Sequence, residues 1–185
     1  MGPENGSDAV LHSQPDVDTV TTVLPPWPER SPVPAIMFNP ALTAVILAAA
    51  ANQYESASGF PMPWPMSFLV PPIVLHEPTR DVLPKTSRTS LPKWVADQVV
   101  LTAGFPARAK HLAPYVREGL RFGLRENMLD LVLQGTAIQC TKLPKTTTKA
   151  PGDLAPIVRG AGMLGRIFAR TGDAASVFAA LRVQP

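Results

Sequence analysis

His76, Thr79, Arg80, Arg88, Thr89 and Ser90 crowd one stretch of the chain, HEPTRDVLPKTSRTS. Two guanidiniums with hydroxyls between them can grip carboxylates, because each arginine offers parallel N–H donors to both oxygens of an acid. A plainer reading is internal. Thr79, Thr89 and Ser90 would cap helices, and the arginines would tie down a proline-rich loop. That reading accounts for the hydroxyls better than for the two arginines. A second basic group is Arg117, Arg121 and Arg125, recurring every four residues. On a helix they form one stripe, suited to phosphates if that helix enters a DNA groove. A solvated helix face diluted by Glu118, or a docking face for an acidic protein surface, is preferred over DNA.

Other chemistries lack their residues. His12, His76 and His111 do not pair with one another or with Cys140 at metal-ligand spacing. Cys140 has no nearby histidine or aspartate to activate it, and reads as a small buried apolar residue. Gly160-Ala161-Gly162-Met163-Leu164-Gly165 spells GxGxxG, but inside a helical pattern with no strand before it. Ser56 and Ser58 sit in no nucleophile elbow. The expectation is a non-enzymatic protein with no metal and no cofactor.

Composition sets the class. The chain has 185 residues, 45% hydrophobic and 17% charged, enough apolar content for a core. Its net charge of +3 is unevenly spread. Glu4, Asp8, Asp16, Asp18 and Glu29 stand against Arg30 alone in residues 1–30, a balance of −4 that leaves +7 for residues 31–185. A basic body fits an acidic partner or ordinary solubility. One cysteine excludes an intrachain disulfide and fits a reducing cytoplasm. MGPENGSDAV shows no signal region, and Gly6 breaks the myristoylation pattern begun by Met1-Gly2. The apolar runs 41–51 and 68–75 fall short of the ~20 residues of a membrane helix, so no membrane partner is expected.

The elements that must position these residues follow from punctuation and periodicity. Residues 1–33 read as a disordered acidic, proline-rich tail, in which Trp27 either docks onto the body or anchors a partner. Residues 34–185 read as one compact domain. Its first part, 34–88, holds a helix opened by Asn39-Pro40 and then the proline-framed apolar segment. Pro71-Pro72 makes 68–76 a short buried helix rather than a central strand. One helical turn follows near 79–83. Over 89–142 the pattern gives a helix to about 98, a β-branched strand at 99–102, helices at 105–112 and 114–127, and a hairpin. Leu129, Leu131 and Leu133 alternate along that hairpin, and Gln134-Gly135 turns it. This is the order of a winged helix-turn-helix. A polar linker, 142–152, leads to C-terminal helices within 154–182, where Gly160, Gly162 and Gly165 announce close helix packing. The fold expected is mainly α with a small β-hairpin.

Trp64 lies within a run of prolines at 61, 63, 65, 71, 72, 78 and 84, which stiffens residues 60–84 before any binding. With His76, Thr79, Arg80 and Arg88 it forms the candidate partner-binding set. Arg117, Arg121 and Arg125 form the alternative, nucleic-acid-binding set.

A family resemblance rests on specific runs. They are Phe68-Leu69-Val70, Pro72-Ile73-Val74-Leu75-His76, Pro78-Thr79-Arg80, Leu83-Pro84 and Arg88-Thr89-Ser90-Leu91. Phe38-Asn39-Pro40-Ala41, Pro114-Tyr115 with Arg117-Glu118, and the ending 174–185 add to them. Over about residues 25–185 the chain resembles the middle component of bacterial three-component ABC ATPase systems. The acidic tail departs from that pattern. The resemblance implies a small adaptor between an SMC- or RecN-like ABC ATPase and an effector, in defence against phage or other invasive DNA. It brings no active-site residue. The alternative is a DNA-binding winged-helix regulator.

Overall fold

The structure, a computed structural model, describes residues 24–31, 38–144 and 152–184. Most of the acidic tail and of the polar linker lies outside these residues. The fold is mostly helical, with a three-stranded antiparallel sheet at one end.

Helix α1, Pro40–Ser58, runs through the middle. Its start is fixed chemically. The Asn39 side chain accepts the Ala41 N–H at 2.8 Å, and Pro40 occupies a first-turn position where no donor is needed. Its end is Gly59, at φ 78°, a conformation open to glycine. Between them Ala48, Ala49, Ala50 and Ala51 are all buried. Such a helix is enclosed on several sides: α7 (Leu154–Thr171) packs along it, α6 (Phe105–Arg125) packs on another side, and the sheet closes one end.

The α1–α7 seam is made of small residues. A Cβ at Gly165 would land on the Ala50 carbonyl oxygen, and one at Gly162 would come within 3.0 Å of Gln53. Gly119 of α6 faces Thr43 with the same lack of room. The glycines that weaken an isolated helix thus let backbones meet. Arg166 adds a hydrogen bond across the seam to Gln53.

The short helices fill in the rest. They are α2 (Val70–Val74), α3 (Glu77–Asp81), α4 (Leu91–Asp97), α5 (Val99–Ala103) and α8 (Ala174–Ala180). All five residues of α2 are buried, and Pro71 and Pro72 sit where helical donors are not yet required. The Asp173 carboxylate caps α8 by accepting the Ser176 N–H at 2.7 Å. That bond holds its pKa below the ordinary value.

The sheet contains β1 (Met62–Pro63), β2 (Leu129–Val132) and β3 (Ala137–Cys140), in the order β1-β3-β2. The expected hairpin is β2–β3, with Leu129 opposite Cys140 and Val132 opposite Ala137. The third strand comes from the proline-rich segment, where Met62 and Pro63 pair with Ile138 and Ala137. A proline is tolerated there because β1 is an edge.

Three local expectations change. Residues 99–102 are helical, not a strand. The edge of β3 they might have paired with is taken by β1, and the Thr102 amide and hydroxyl both bond to the Gln98 carbonyl, at 3.0 and 2.9 Å. The helices expected at 105–112 and 114–127 are one helix. Pro114 removes a single i→i−4 bond, and burial of Ala109, Val116, Gly119 and Gly123 on either side of it carries α6 through. Leu131 and Leu133 do not share the core face with Leu129: they are 46% and 61% exposed, against 2%. A winged helix over 89–142 is compatible with this order of elements and is not established by it.

Candidate functional site

The face where α6, the hairpin and Trp64 meet carries an open apolar groove of about 290 Å³. Leu120 and Leu124 of α6 form one wall, Leu131 and Ile138 the other, and Trp64 closes the end. Trp64 is held firmly. Its N–H donates to the Thr136 carbonyl at 3.2 Å, continuing the β1–β3 ladder, and its ring meets Phe68 edge-on at 5.9 Å. It is nonetheless 39% exposed. Phe60, at 70%, is exposed just upstream.

The hairpin turn presents a further leucine. Leu133 and Gln134 have φ 51° and 57°, and Gly135 has φ 83°. The Gly135 N–H reaches the Val132 carbonyl at 3.1 Å, so Leu133 and Gln134 hold the two positive-φ places usually filled by Asn-Gly. A branched side chain is disfavoured there by roughly 1–2 kcal/mol. Leu133 also stays in solvent, so its own burial does not offset that strain.

Basic residues border the groove. Arg117, Arg121 and Arg125 are all exposed on α6. At 100° per residue they form a drifting stripe beside Leu120 and Leu124. The Arg117 guanidinium lies over the Phe68 ring at 5.6 Å, joining the stripe to Trp64 through one aromatic. Arg125 lies over Phe122 and pairs with Glu126 at 3.1 Å. Arg121 has no ion pair among the described residues.

Glu118 does not simply dilute this stripe. Arg30 holds it bidentately, at 2.7 and 2.5 Å, with the Arg30 side chain only 8% exposed. That bond raises the Arg30 pKa. The end of the N-terminal segment is thereby fastened to α6. Trp27, between the two fates proposed for it, is 46% exposed and lies under Arg30 at 5.0 Å.

The His76–Arg80 cluster is a separate place, at the α2–α3 corner. Thr79 is 1% exposed, and its Oγ1 lies 2.6 Å from His76 Nδ1 and 3.3 Å from Arg108 Nη2. A hydroxyl that accepts from Arg108 has its own proton left for His76, which suits a neutral ring with Nδ1 as acceptor. Burial, and then the Arg108 charge, hold the His76 pKa down; burial also lowers that of Arg108. Arg80 is 9% exposed. It donates to the Val74 carbonyl at 3.1 Å, lies 3.5 Å from Asp153, and rests its stem against Gly160 of α7. These groups fasten the corner. Arg88, by contrast, is exposed on the following turn. Of the five partner-set residues, Trp64 and Arg88 meet solvent most openly.

Sequence reasoning missed Leu131 and Ile138 as groove residues, and Arg30 and Arg108 as fasteners. Leucines on an alternating strand read as core, and nothing in the sequence pairs residue 30 with residue 118. Cys140 is half-buried on β3, and burial raises its pKa, which suppresses the thiolate. No group of histidine, cysteine, aspartate and glutamate among the described residues could hold a metal ion. No helix of the described residues is long and apolar enough to cross a membrane.

Fold and face together define a helical domain with a small sheet and an arginine-bordered apolar groove. The chain belongs to the family of ABC-three component system Middle Component 3 proteins, whose family model matches residues 27–185. No curated protein and no solved structure matches it.

Proposed function

We propose that this chain is a non-enzymatic cytoplasmic adaptor that joins an SMC- or RecN-like ABC ATPase to an effector in a prokaryotic defence system. Membership of a middle-component family gives the setting. The observation that carries the reading is the groove: Trp64 is fixed by a backbone bond and an aromatic neighbour, yet stands in solvent with Leu131 of the same groove. Exposed apolar side chains on a stiff frame lose little conformational entropy on docking. Aromatic and arginine residues are also the types that dominate binding energy.

The partner set divides by burial. Trp64 and Arg88 would touch the partner. His76, Thr79 and Arg80 would act as positioning residues, holding the α2–α3 corner from inside. Co-purification with the neighbouring ATPase and effector tests the whole reading. Trp64→Ala should weaken capture by about 2 kcal/mol, near thirtyfold, in protein that is still folded, with only a modest fall in melting temperature from the lost Phe68 contact. Arg88→Ala should weaken it less, and Arg80→Ala should lower the melting temperature. Unimpaired capture by Trp64→Ala would remove the groove from the interface, and unimpaired capture by Arg88→Ala would remove the turn after α3.

The second reading, a DNA-binding winged-helix regulator, keeps one favourable observation: Arg117, Arg121 and Arg125 are all exposed along α6. Replacing the three with glutamine should then weaken DNA binding and flatten its salt dependence by up to ~3 counterions. The adaptor reading expects weak DNA binding or none.

A further inference from the structure

We propose that the groove between α6 and the hairpin takes a short amphipathic helix of another protein, apolar on the face that enters the groove and acidic along one flank. That a partner docks there rests on the adaptor reading; its acidic, helical character comes from the walls of the groove.

Charge is laid out along one wall. At about 100° per residue, Leu124 lies about 40° around α6 from Leu120, and Arg117, Arg121 and Arg125 follow at about 60°, 100° and 140° in the same direction. The leucines therefore face the groove, and the arginines stand on its outer rim. Glu118 is the only acid between Arg117 and Arg125. Arg30 neutralises it with two hydrogen bonds. Arg125 pairs with Glu126, whereas Arg117 and Arg121 have no acidic partner among the described residues. Two exposed guanidiniums beside an open apolar wall are left to an incoming acid.

The apolar lining favours protein over nucleic acid. Duplex DNA would satisfy the arginines through its phosphates and leave Trp64 and Leu131, 39% and 46% exposed, in water. A segment with apolar side chains covers both. Ile138, the cross-strand neighbour of Leu131, lies on β3, the middle strand, so the groove opens on a face of the sheet and not at its edge. An extended segment that joined the sheet would need an edge, whereas a helix lays its apolar side into a groove. Spacing fits as well. Residues four apart on a helix advance about 6 Å, so an acid at every fourth position of a helix lying along α6 keeps step with Arg117, Arg121 and Arg125. The arginine row spans about 12 Å, a little over two turns.

A displayed library of random peptides of about 16 residues, long enough for about four turns, is selected on the full chain. Enriched peptides should carry large apolar residues at helical spacing, with aspartate or glutamate at every third or fourth position along one side. Changing those acids to their amides should weaken binding to the full chain about tenfold, read by fluorescence anisotropy. Leu131→Glu, at an exposed position of the groove wall, should weaken it at least as much. Arg117→Glu/Arg121→Glu should abolish binding of the acidic peptide and admit the same peptide with lysines in place of its acids. An unfolded variant cannot make that exchange, so loss of fold and loss of site are told apart. Selected peptides without the acidic row, or binding indifferent to Leu131→Glu and to the charge exchange, overturn the proposal. Duplex DNA that binds the arginine row more tightly than any selected peptide would make the face a phosphate site. Sedimentation showing a dimer that Leu131→Glu dissolves would give the groove to a second copy. Either result also overturns the proposal. No ATPase or effector enters these measurements. Capture of both that persists without peptide binding leaves the adaptor standing and removes the acidic helix; peptide binding without capture does the reverse.

Discussion

The α1–α7 seam and the α6–hairpin edge use apolar residues in opposite ways. At the seam the side chains are as small as they can be, and Ala50, Ala161 and Gly165 bring two helices into backbone contact. At the edge the side chains are large, and Trp64, Leu131 and Leu133 remain in solvent. The seam satisfies itself: its atoms find partners within the chain at interior density. The edge leaves its apolar area open, although the backbone beneath it is pinned by β1–β3 pairing. The difference teaches where a change should appear as lost stability and where it should appear as lost binding. One turn residue at the edge, Leu133, even opposes stability.

The comparison breaks most visibly at Gly165. An alanine there places its Cβ against the Ala50 carbonyl and within 3.0 Å of the Tyr54 nitrogen, all backbone atoms of a central helix. Neither helix can yield locally, so Gly165→Ala should cost at least about 3 kcal/mol, the upper end for overpacking. Gly160→Ala is the control on the same helix. Its Cβ would meet only side-chain atoms, Leu83 and Val74 at 3.3 Å and the Arg80 stem at 3.7 Å. Relief of glycine's helix penalty, about 1 kcal/mol, should roughly balance that crowding. Denaturant midpoints of the two variants decide the matter. Equal losses would mean that the seam is not set by backbone approach.

At the edge the expected sign reverses. Leu133→Asn puts a residue tolerant of positive φ into the first strained place of the turn. It should raise stability by about 0.5–1 kcal/mol while leaving the hairpin register intact. Captured ATPase or effector should fall at the same time if Leu133 is held exposed for a partner. A variant that is both less stable and equally well captured would show that Leu133 serves the fold.

These effects also show what the sequence could reveal. The Asn39-Pro40 start, the buried Pro71-Pro72 helix and the hairpin were legible because each depends on neighbours along the chain, although the turn centres on Leu133-Gln134, one residue before the expected Gln134-Gly135. Gly160, Gly162 and Gly165 announced close packing correctly, but not the partner helix. The strand expected at 99–102 failed because β-branched propensity only counts where a partner strand is in register: β3 is already paired on both sides, and the Thr102 amide and hydroxyl bond locally to the Gln98 carbonyl. The break expected near Pro114 failed because burial on both sides outweighs one lost bond. The groove was the least legible. It needs residues 64, 120, 131 and 138 together, and a two-residue strand among prolines gives no periodic signal.

The smallest expected effect concerns pH and the corner that stands between seam and edge. His76 is held below its ordinary pKa of 6.5 by burial and by Arg108. The unfolded ring takes up a proton near that ordinary value, whereas the folded ring does so only at lower pH. Between the two values the unfolded state binds more protons, so stability rises with pH there and is flat above about 6.5. Acidification through that window should lower the melting temperature, because a proton on Nδ1 would meet the Thr79 hydroxyl as a second donor and add charge beside Arg108. Asp173, whose pKa is depressed, loses its stabilising charge only below its ordinary 3.8, outside the range pH 7.5 to 5. Melting temperatures of the native chain and His76→Gln, measured from pH 7.5 to 5, isolate the histidine. The native chain should lose stability over this range, and the variant should lose less of it. Identical slopes would mean that another group carries the pH dependence, and that the His76–Thr79–Arg108 cluster tolerates a charged ring.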